Sequence, residues 1–300
     1  MANLKEIRTR IASVASTRQI TSAMKMVAAA KLKKAQDTVV NFRPYARKMR
    51  EIMGNVVSSA GRDYESYYAT VREYRQVLIV VITSNRGLCG AFNSNAIKEA
   101  FQLAEKKYND LPQDKIRYLA IGKKGYDVLR KRMIPLDEPN TAIIEHLTYE
   151  NASEIAKSLM NAFLSGRYDC IDIVYNEFIN AASQKVVVKQ FLPLAPEVQH
   201  PDKDKKSKNE KEQRTDYLFE PSGEHVFRKL IPKTLRLILY EALLNSVASE
   251  FGARMTSMHQ ATDNATTLIQ ELTLQYNKAR QAAITNEIVE IVGGAEALKG

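Results

Sequence analysis

The stretch Ser84-Asn85-Arg86-Gly87-Leu88-Cys89-Gly90 lies between a β-branched run and a helical one, where a doubly wound α/β fold keeps its phosphate-binding loop. Holding a phosphate there takes backbone N–H groups that approach closely, hence glycines at set spacing, and often a lysine. The stretch has neither GxGxxG nor GxxxxGK[ST], and no lysine in the phosphate position, so it reads as a tight strand-to-helix turn. Gly122-Lys123-Lys124-Gly125 follows a second strand-like run and has two readings, an anion-holding turn or a helix start. Cys89 and Cys170 form no CxxC pair, and Cys89 reads as a small buried thiol. His146, His200, His225 and His259 fall in unrelated segments without metal-ligand spacing, and no serine has a GxSxG setting. Glu287 and Glu290 sit on an apolar helix end, where contact with a partner is more natural than acid–base work. These residues predict neither a catalytic centre nor a metal or cofactor site.

The charge is the stronger signal. The chain has a formal net charge of +10, yet residues 1–58 carry 12 Lys/Arg against 3 Asp/Glu, while residues 223–300 carry 8 of each. Arg8, Arg10, Arg18, Lys25, Lys31, Lys33 and Lys34 make a basic stripe, either a solvated face or the mate of an acidic partner. Nucleic acid is the generic partner for such a stripe, but no aromatic residues interleave it for base stacking, and no nucleic-acid module is recognisable.

The elements that carry these residues differ in kind. From about Leu237 to Val289 apolar or small residues recur at spacings of three and four: Leu237, Tyr240, Leu244, Val247 and Phe251, then Met258, Ala261, Ala265, Leu268 and Leu272, and after Gln275, Ala279 and Ala282. Leu4, Ile7, Ile11 and Val14, then Ala28, Leu32, Ala35 and Val39, repeat the pattern at the other end. Sustained over so many heptads, it predicts a coiled-coil seam. A helix over 222–292 would run about 105 Å at 1.5 Å per residue, more than a globular core can cover. The apolar residues Ile284, Ile288, Val289, Ile291 and Val292 surround most of the helix end, as on a tip that packs against the first helix or sits in another protein's sleeve.

Between the two helices the period changes to that of an α/β domain. Strands are expected at Val77–Thr83, Ile116–Ile121, Cys170–Tyr175 and Val186–Phe191, the last two as a hairpin, with a short one at Ile143–His146. Helices are expected near 93–108, from Lys123, and over 151–164. Arg43-Pro44 should bend the first helix, and Pro232 should kink the last or mark its regular start. The expected organisation is an N-terminal coiled-coil helix at 1–60, a Rossmann-like doubly wound domain at 61–200, a charged loop and return segment at 201–221, and a C-terminal coiled-coil helix at 222–300. No run of 18 apolar residues exists.

The motifs resemble those of the gamma subunits of F-type ATP synthases over essentially the whole chain. They are Lys5-Glu6-Ile7-Arg8, Ile20-Thr21-Ser22-Ala23-Met24-Lys25-Met26-Val27, Arg43-Pro44-Tyr45 and Arg86-Gly87-Leu88-Cys89-Gly90. More specific are Ala261-Thr262-Asp263-Asn264, Tyr276-Asn277-Lys278-Ala279-Arg280-Gln281, and Ile284-Thr285-Asn286-Glu287 through Gly293-Gly294-Ala295. The resemblance implies an antiparallel coiled coil of the terminal helices, turning as the central shaft within three alpha and three beta subunits. It further implies an α/β foot against the epsilon subunit and the membrane c-ring, driven by proton or sodium flow. Met24 and Lys25 should lie near the beta lever, and Arg280, Gln281, Thr285 and Glu287 should make an upper contact with beta. Ile284, Ile288, Val289, Ile291 and Val292 should form the bearing tip, and Arg8, Arg10, Lys31, Lys33 and Lys34 the basic shaft face. No cofactor, small-molecule substrate or nucleic acid is implied. The family pattern begins at Met1, which favours a bacterial enzyme on the cytoplasmic face of the inner membrane. Residues 202–213 match no family motif, and the two cysteines do not reproduce the redox-switch pair of the family's photosynthetic members.

Overall fold

The computed structural model describes residues 4–59, 67–137, 140–181, 183–194 and 223–297; the charged segment 202–213 lies outside them. The elements are α1 (Leu4–Ser59), β1 (Val77–Ile82), α2 (Phe92–Lys107), β2 (Ile116–Ile121), α3 (Lys123–Lys131), α4 (Tyr149–Leu164), β3 (Cys170–Asn180), β4 (Ser183–Leu192) and α5 (Gly223–Ala297). The chain divides into two compact units, Met1–Ala29 with Arg254–Gly300, and Ala30–Ala253.

In the larger unit one sheet has the order β2-β1-β3-β4. β1 runs parallel to β2 and β3, and β3–β4 is an antiparallel hairpin. All six residues of β1 are buried, as a central parallel strand covered on both faces requires. Val77, Ile79, Val81, Tyr118, Cys170 and Val174 face α2 and α3. Leu78, Val80, Ile82, Ile121, Ile171 and Ile173 pack with Ile155, Leu159 and Phe163 of α4 and Leu235, Ile238 and Leu239 of α5. Residues of α1 and α5 also meet here: Val39 packs with Leu244, Arg50 pairs with Glu241 at 2.6 Å, and the Lys31 ammonium lies 5.4 Å from the centre of the Phe251 ring. Partner numbers fall on α5 as they rise on α1, so the two helices are antiparallel.

Capping follows local chemistry. The Thr148 hydroxyl accepts the Asn151 N–H at 3.2 Å and starts α4. At the end of α3 the Ile134 N–H reaches the Leu129 carbonyl and the Met133 N–H that of Arg130, a Schellman closure with Met133 in the left-handed position at φ 52°. That position favours glycine, and Met133 is 94 % exposed, so its side chain packs little. Met133→Gly is expected to raise stability by about 1 kcal/mol, read from chemical-denaturation midpoints at unchanged m-value.

Buried acidic groups also set the response to alkali. Burial pushes the Cys170 thiol up to about 11 and the Tyr118 and Tyr168 hydroxyls up to about 12, and raises Tyr108 and Tyr175. The unfolded chain therefore loses these protons first. Stability is complete below pH 9, the ordinary thiol value, and falls as pH rises toward the folded values. Melting temperatures measured from pH 8 to 11 should decline steadily, with Cys170→Ala flattening the first part of the decline.

Several expectations change. The segment Ile143–His146 is not a strand: Ala142–Ile144 form one turn of 3₁₀-helix, with Ile143 buried. The outer edge of β2 is already taken, by Tyr118 N–H to the Pro135 carbonyl, Asp137 N–H to that of Tyr118, and Asn140 N–H to that of Ala120. α1 passes unbroken through Pro44, where Val40, whose carbonyl loses its helical partner, is exposed to water. α5 likewise includes Pro232. β3 and β4 outrun their expected bounds, pairing on to Asn180 and Ser183.

The smaller unit is the paired ends of α1 and α5. Beside the partly covered Ala15, Ser22, Met24 and Ala29, the covered positions on α1 include Leu4, Ile7, Ile11, Val14, Arg18, Thr21, Lys25 and Ala28, a 3-4 alternation. Three of them are polar, which is why the apolar pattern lapses after Val14. Thr21 is buried, and its hydroxyl lies 2.9 Å from that of Thr262. From Met258 the covered positions on α5 run Thr262, Ala265, Ile269, Leu272, Tyr276 and Ala279, with Ala261 and Thr266 partly covered beside them. Leu268, expected on the seam, is 42 % exposed, because the spacing after Ala265 is four rather than three.

Candidate functional site

Two regions have the geometry for a function, one in each unit. The first is the end of α5. Thr21 lies against Thr262. In an antiparallel pair, stepping back along α1 from Thr21 to Leu4 corresponds to stepping forward along α5 to Ala279. Ala279 is also the last α5 residue with any cover, and residues 280–295 are all exposed. α5 therefore runs on beyond the described end of its companion. Ile284, Ile288, Val289, Ile291 and Val292 are 47 to 69 % exposed there, a concentration of bare aliphatic surface. Arg280, Gln281 and Glu287 are exposed beside them, and the Thr285 hydroxyl bonds back to the Gln281 carbonyl at 2.9 Å.

On α1 of the same unit, Arg8 and Arg10 are fully outward, whereas Met24 and Lys25 are half-buried. Lys25 and Arg18 occupy seam positions and are partly covered, so they are not part of a uniform solvated stripe. In the larger unit Lys31, Lys33 and Lys34 are exposed, with Lys31 over Phe251. The basic face is thus carried by both units.

The second region is the crevice outside the carboxyl ends of β1 and β3, where strand order reverses and an α/β sheet ordinarily binds its ligand. The N–H groups that would cradle an anion are bonded within the protein. Ser84 N–H donates to Asn93 Oδ1 at 2.9 Å, Lys123 N–H to Asn85 Oδ1 at 2.9 Å, and Gly125 N–H to Thr83 Oγ1 at 2.9 Å. Lys124 N–H donates to the Ser84 carbonyl at 3.0 Å. Gly122 and Gly125 permit this closure of α3 on β1: a Cβ on Gly122 would lie 2.1 Å from the Thr83 carbonyl oxygen, and one on Gly125 2.6 Å from its hydroxyl. The Gly122–Gly125 turn is therefore a helix start. Cys89, at the end of the first loop, is buried with Phe92 and Ala253.

What fills the crevice is α5 itself. The Ser249 hydroxyl donates to the Asn176 carbonyl at 3.1 Å, and Asn176 Nδ2 donates to the Phe92 carbonyl at 3.4 Å. Gly252 lies under the hairpin turn, where a Cβ would stand 3.1 Å from the Ala181 oxygen. The sequence offered a signal for this contact in Gly252, the one glycine between the start of α5 and the Gly293-Gly294 pair near its end.

The elements define an α/β domain inserted between two long terminal helices, with the last helix seated in the crevice of the sheet. The ATP synthase family model matches residues 3–298. The ATP synthase gamma chain of Flavobacterium johnsoniae is 55 % identical over 302 residues, covering 100 % of each chain, and that of Cytophaga hutchinsonii is 47 % identical over 299 residues, covering 99 % of each. The central stalk and c-ring structure of Tetrahymena thermophila mitochondrial ATP synthase contains a chain 27 % identical, with a TM-score of 0.57, over 81 % of this chain and 99 % of that one. A chain of the Euglena gracilis mitochondrial ATP synthase shares the fold at a TM-score of 0.71 and 24 % identity, over 98 % of this chain and 94 % of that one. The chain belongs to the ATP synthase gamma-chain family. These relatives lend nothing to the nucleic-acid alternative.

Proposed function

We propose that this chain is the central rotor shaft of a bacterial F-type ATP synthase. It couples ion-driven rotation of a membrane c-ring to ATP synthesis and hydrolysis at the beta subunits. The observation that carries the reading is full-length identity of up to 55 % with ATP synthase gamma chains, in a chain whose bare apolar helix end calls for a partner. The three alpha and three beta subunits surround the shaft, and the epsilon subunit and c-ring meet the α/β domain. Catalysis resides in beta, and this chain is a non-catalytic subunit. As it turns, its unlike sides meet the three beta subunits in succession and shift each between nucleotide affinities, a coupling by differential contact.

In this reading Met24 and Lys25 engage the beta lever, Arg280, Gln281, Thr285 and Glu287 form the upper contact, and Ile284, Ile288, Val289, Ile291 and Val292 turn in an apolar sleeve. Arg8, Arg10, Lys31, Lys33 and Lys34 face acidic groups of the surrounding ring. Among the described residues no helix is long and apolar enough to cross a membrane. We place the chain peripherally, on the cytoplasmic face of the inner membrane.

The test is reconstitution of matching alpha and beta subunits with and without this chain, followed by Mg-ATP hydrolysis. A stable complex whose sustained hydrolysis requires the chain supports the reading, as does loss of ion pumping in the assembled enzyme when Met24 becomes lysine. A chain that neither joins the ring nor alters its hydrolysis refutes it.

A further inference from the structure

The contacts between α5 and the sheet crevice lie on one face of the helix, at Ser249, Gly252 and Ala253, the i, i+3, i+4 spacing of a single helical edge. Each touches a different part of the domain. Ser249 reaches the backbone of β3, Gly252 the turn of the β3–β4 hairpin, and Ala253 the loop after β1 with the start of α2. Asn176 links two of these parts, its carbonyl accepting from Ser249 and its amide donating to Phe92. It is fully buried, so the link is shielded from exchange with water.

We infer that Ser249, Gly252 and Ala253 are positioning residues for rotary coupling, holding α5 against rolling about its own axis within the α/β domain. This rests on the rotor reading above. Rolling the helix by 20° would carry its Cα atoms about 0.8 Å around a cylinder of radius about 2.3 Å. A shift of that size strains the Ser249 hydrogen bond and, in the sense that brings Gly252 toward the hairpin, closes a gap to the Ala181 carbonyl so small that a single Cβ would stand 3.1 Å from it. Small side chains are what allow the approach: a larger one at 252 must lift the helix from the hairpin. Torque passing from the α/β domain into α5 is then borne by short side chains and close backbone approach, which yield less than long flexible side chains.

The experiment fixes the alpha–beta ring of the assembled complex to a surface and attaches a bead to the α/β domain through Met133→Cys. Cys89 and Cys170 are buried, so the label goes to the exposed position. The width of the angular distribution during catalytic pauses reports torsional compliance between ring and bead. Gly252→Val should at least double the angular variance while ATP hydrolysis stays within twofold, and Ser249→Ala should widen it less, in the same direction. If the valine variant fails to assemble, Gly252→Ala takes its place, with a Cβ at 3.1 Å from the carbonyl. Unchanged variance in the variants, with rotation intact, overturns the inference. A bead that does not turn on the complex without these substitutions overturns the rotor reading instead.

Discussion

Lys107→Met will destabilise the α/β domain by about 3 kcal/mol, lowering its melting temperature by about 6–12 °C. The Asp172 side chain is 0 % exposed and sits on β3 facing α2. Its carboxylate accepts from the Tyr108 hydroxyl at 2.5 Å and from the Lys107 ammonium at 2.9 and 3.1 Å. The same ammonium donates to Gln190 Oε1 at 3.1 Å, tying α2 to β3 and β4. Methionine keeps the length of the side chain but leaves a buried carboxylate with the tyrosine alone. Lys107 is itself partly exposed, so water can partly replace it, which holds the loss at the lower end of the range for broken buried pairs. Pairing Lys107→Met with Asp172→Asn should recover part of the loss. A single variant within 1 kcal/mol of the parent would mean that Tyr108 alone satisfies Asp172.

The second large effect falls on assembly rather than folding. Ile288→Asp with Ile291→Asp should leave the free chain's stability within about 0.5 kcal/mol, since both side chains are more than half exposed. Binding to the alpha–beta ring should weaken 100-fold or more, read by titrating the ring with labelled chain. Burying each isoleucine from its present exposure contributes about 1–2 kcal/mol, and each aspartate must lose its hydration without a compensating partner. Together these exceed about 3 kcal/mol, and every 1.4 kcal/mol is tenfold in affinity. An unchanged affinity would show that the apolar end of α5 is not what the ring holds.

How much of this was legible in the sequence depended on how completely each residue was buried. β1 was found to within a residue, because every position of that central strand is Val, Ile or Leu, and β2 was found too, since Arg117 is the one charged residue in its largely buried run. β3 and β4 were cut short, because the outer end of the hairpin carries Glu177, Asn180 and Lys185 among its apolar residues and looks like loop. The α1 seam was read as two apolar runs with a gap, since a search for apolar residues passes over Arg18, Thr21 and Lys25. Their place on the seam follows from the period, not from their chemistry. The seating of α5 was least legible: small residues such as Ser249 and Gly252 show only that something approaches closely, not what. At the tip the residues Ile284 to Val292 left two readings open, packing against the first helix or a sleeve in another protein, and their exposure speaks against the first.

The unaccompanied stretch of α5 has a consequence for the cell's supply of subunits. Residues 280–295 span about 24 Å of single helix, and a helix this short, without a neighbour, is marginal in water. In a copy not yet assembled, its amide protons should exchange with solvent far faster than those of β1, and proteases should cut there first. In the rotor reading proposed above, assembly would hide the same stretch, so that a surplus copy would be the one left open to removal.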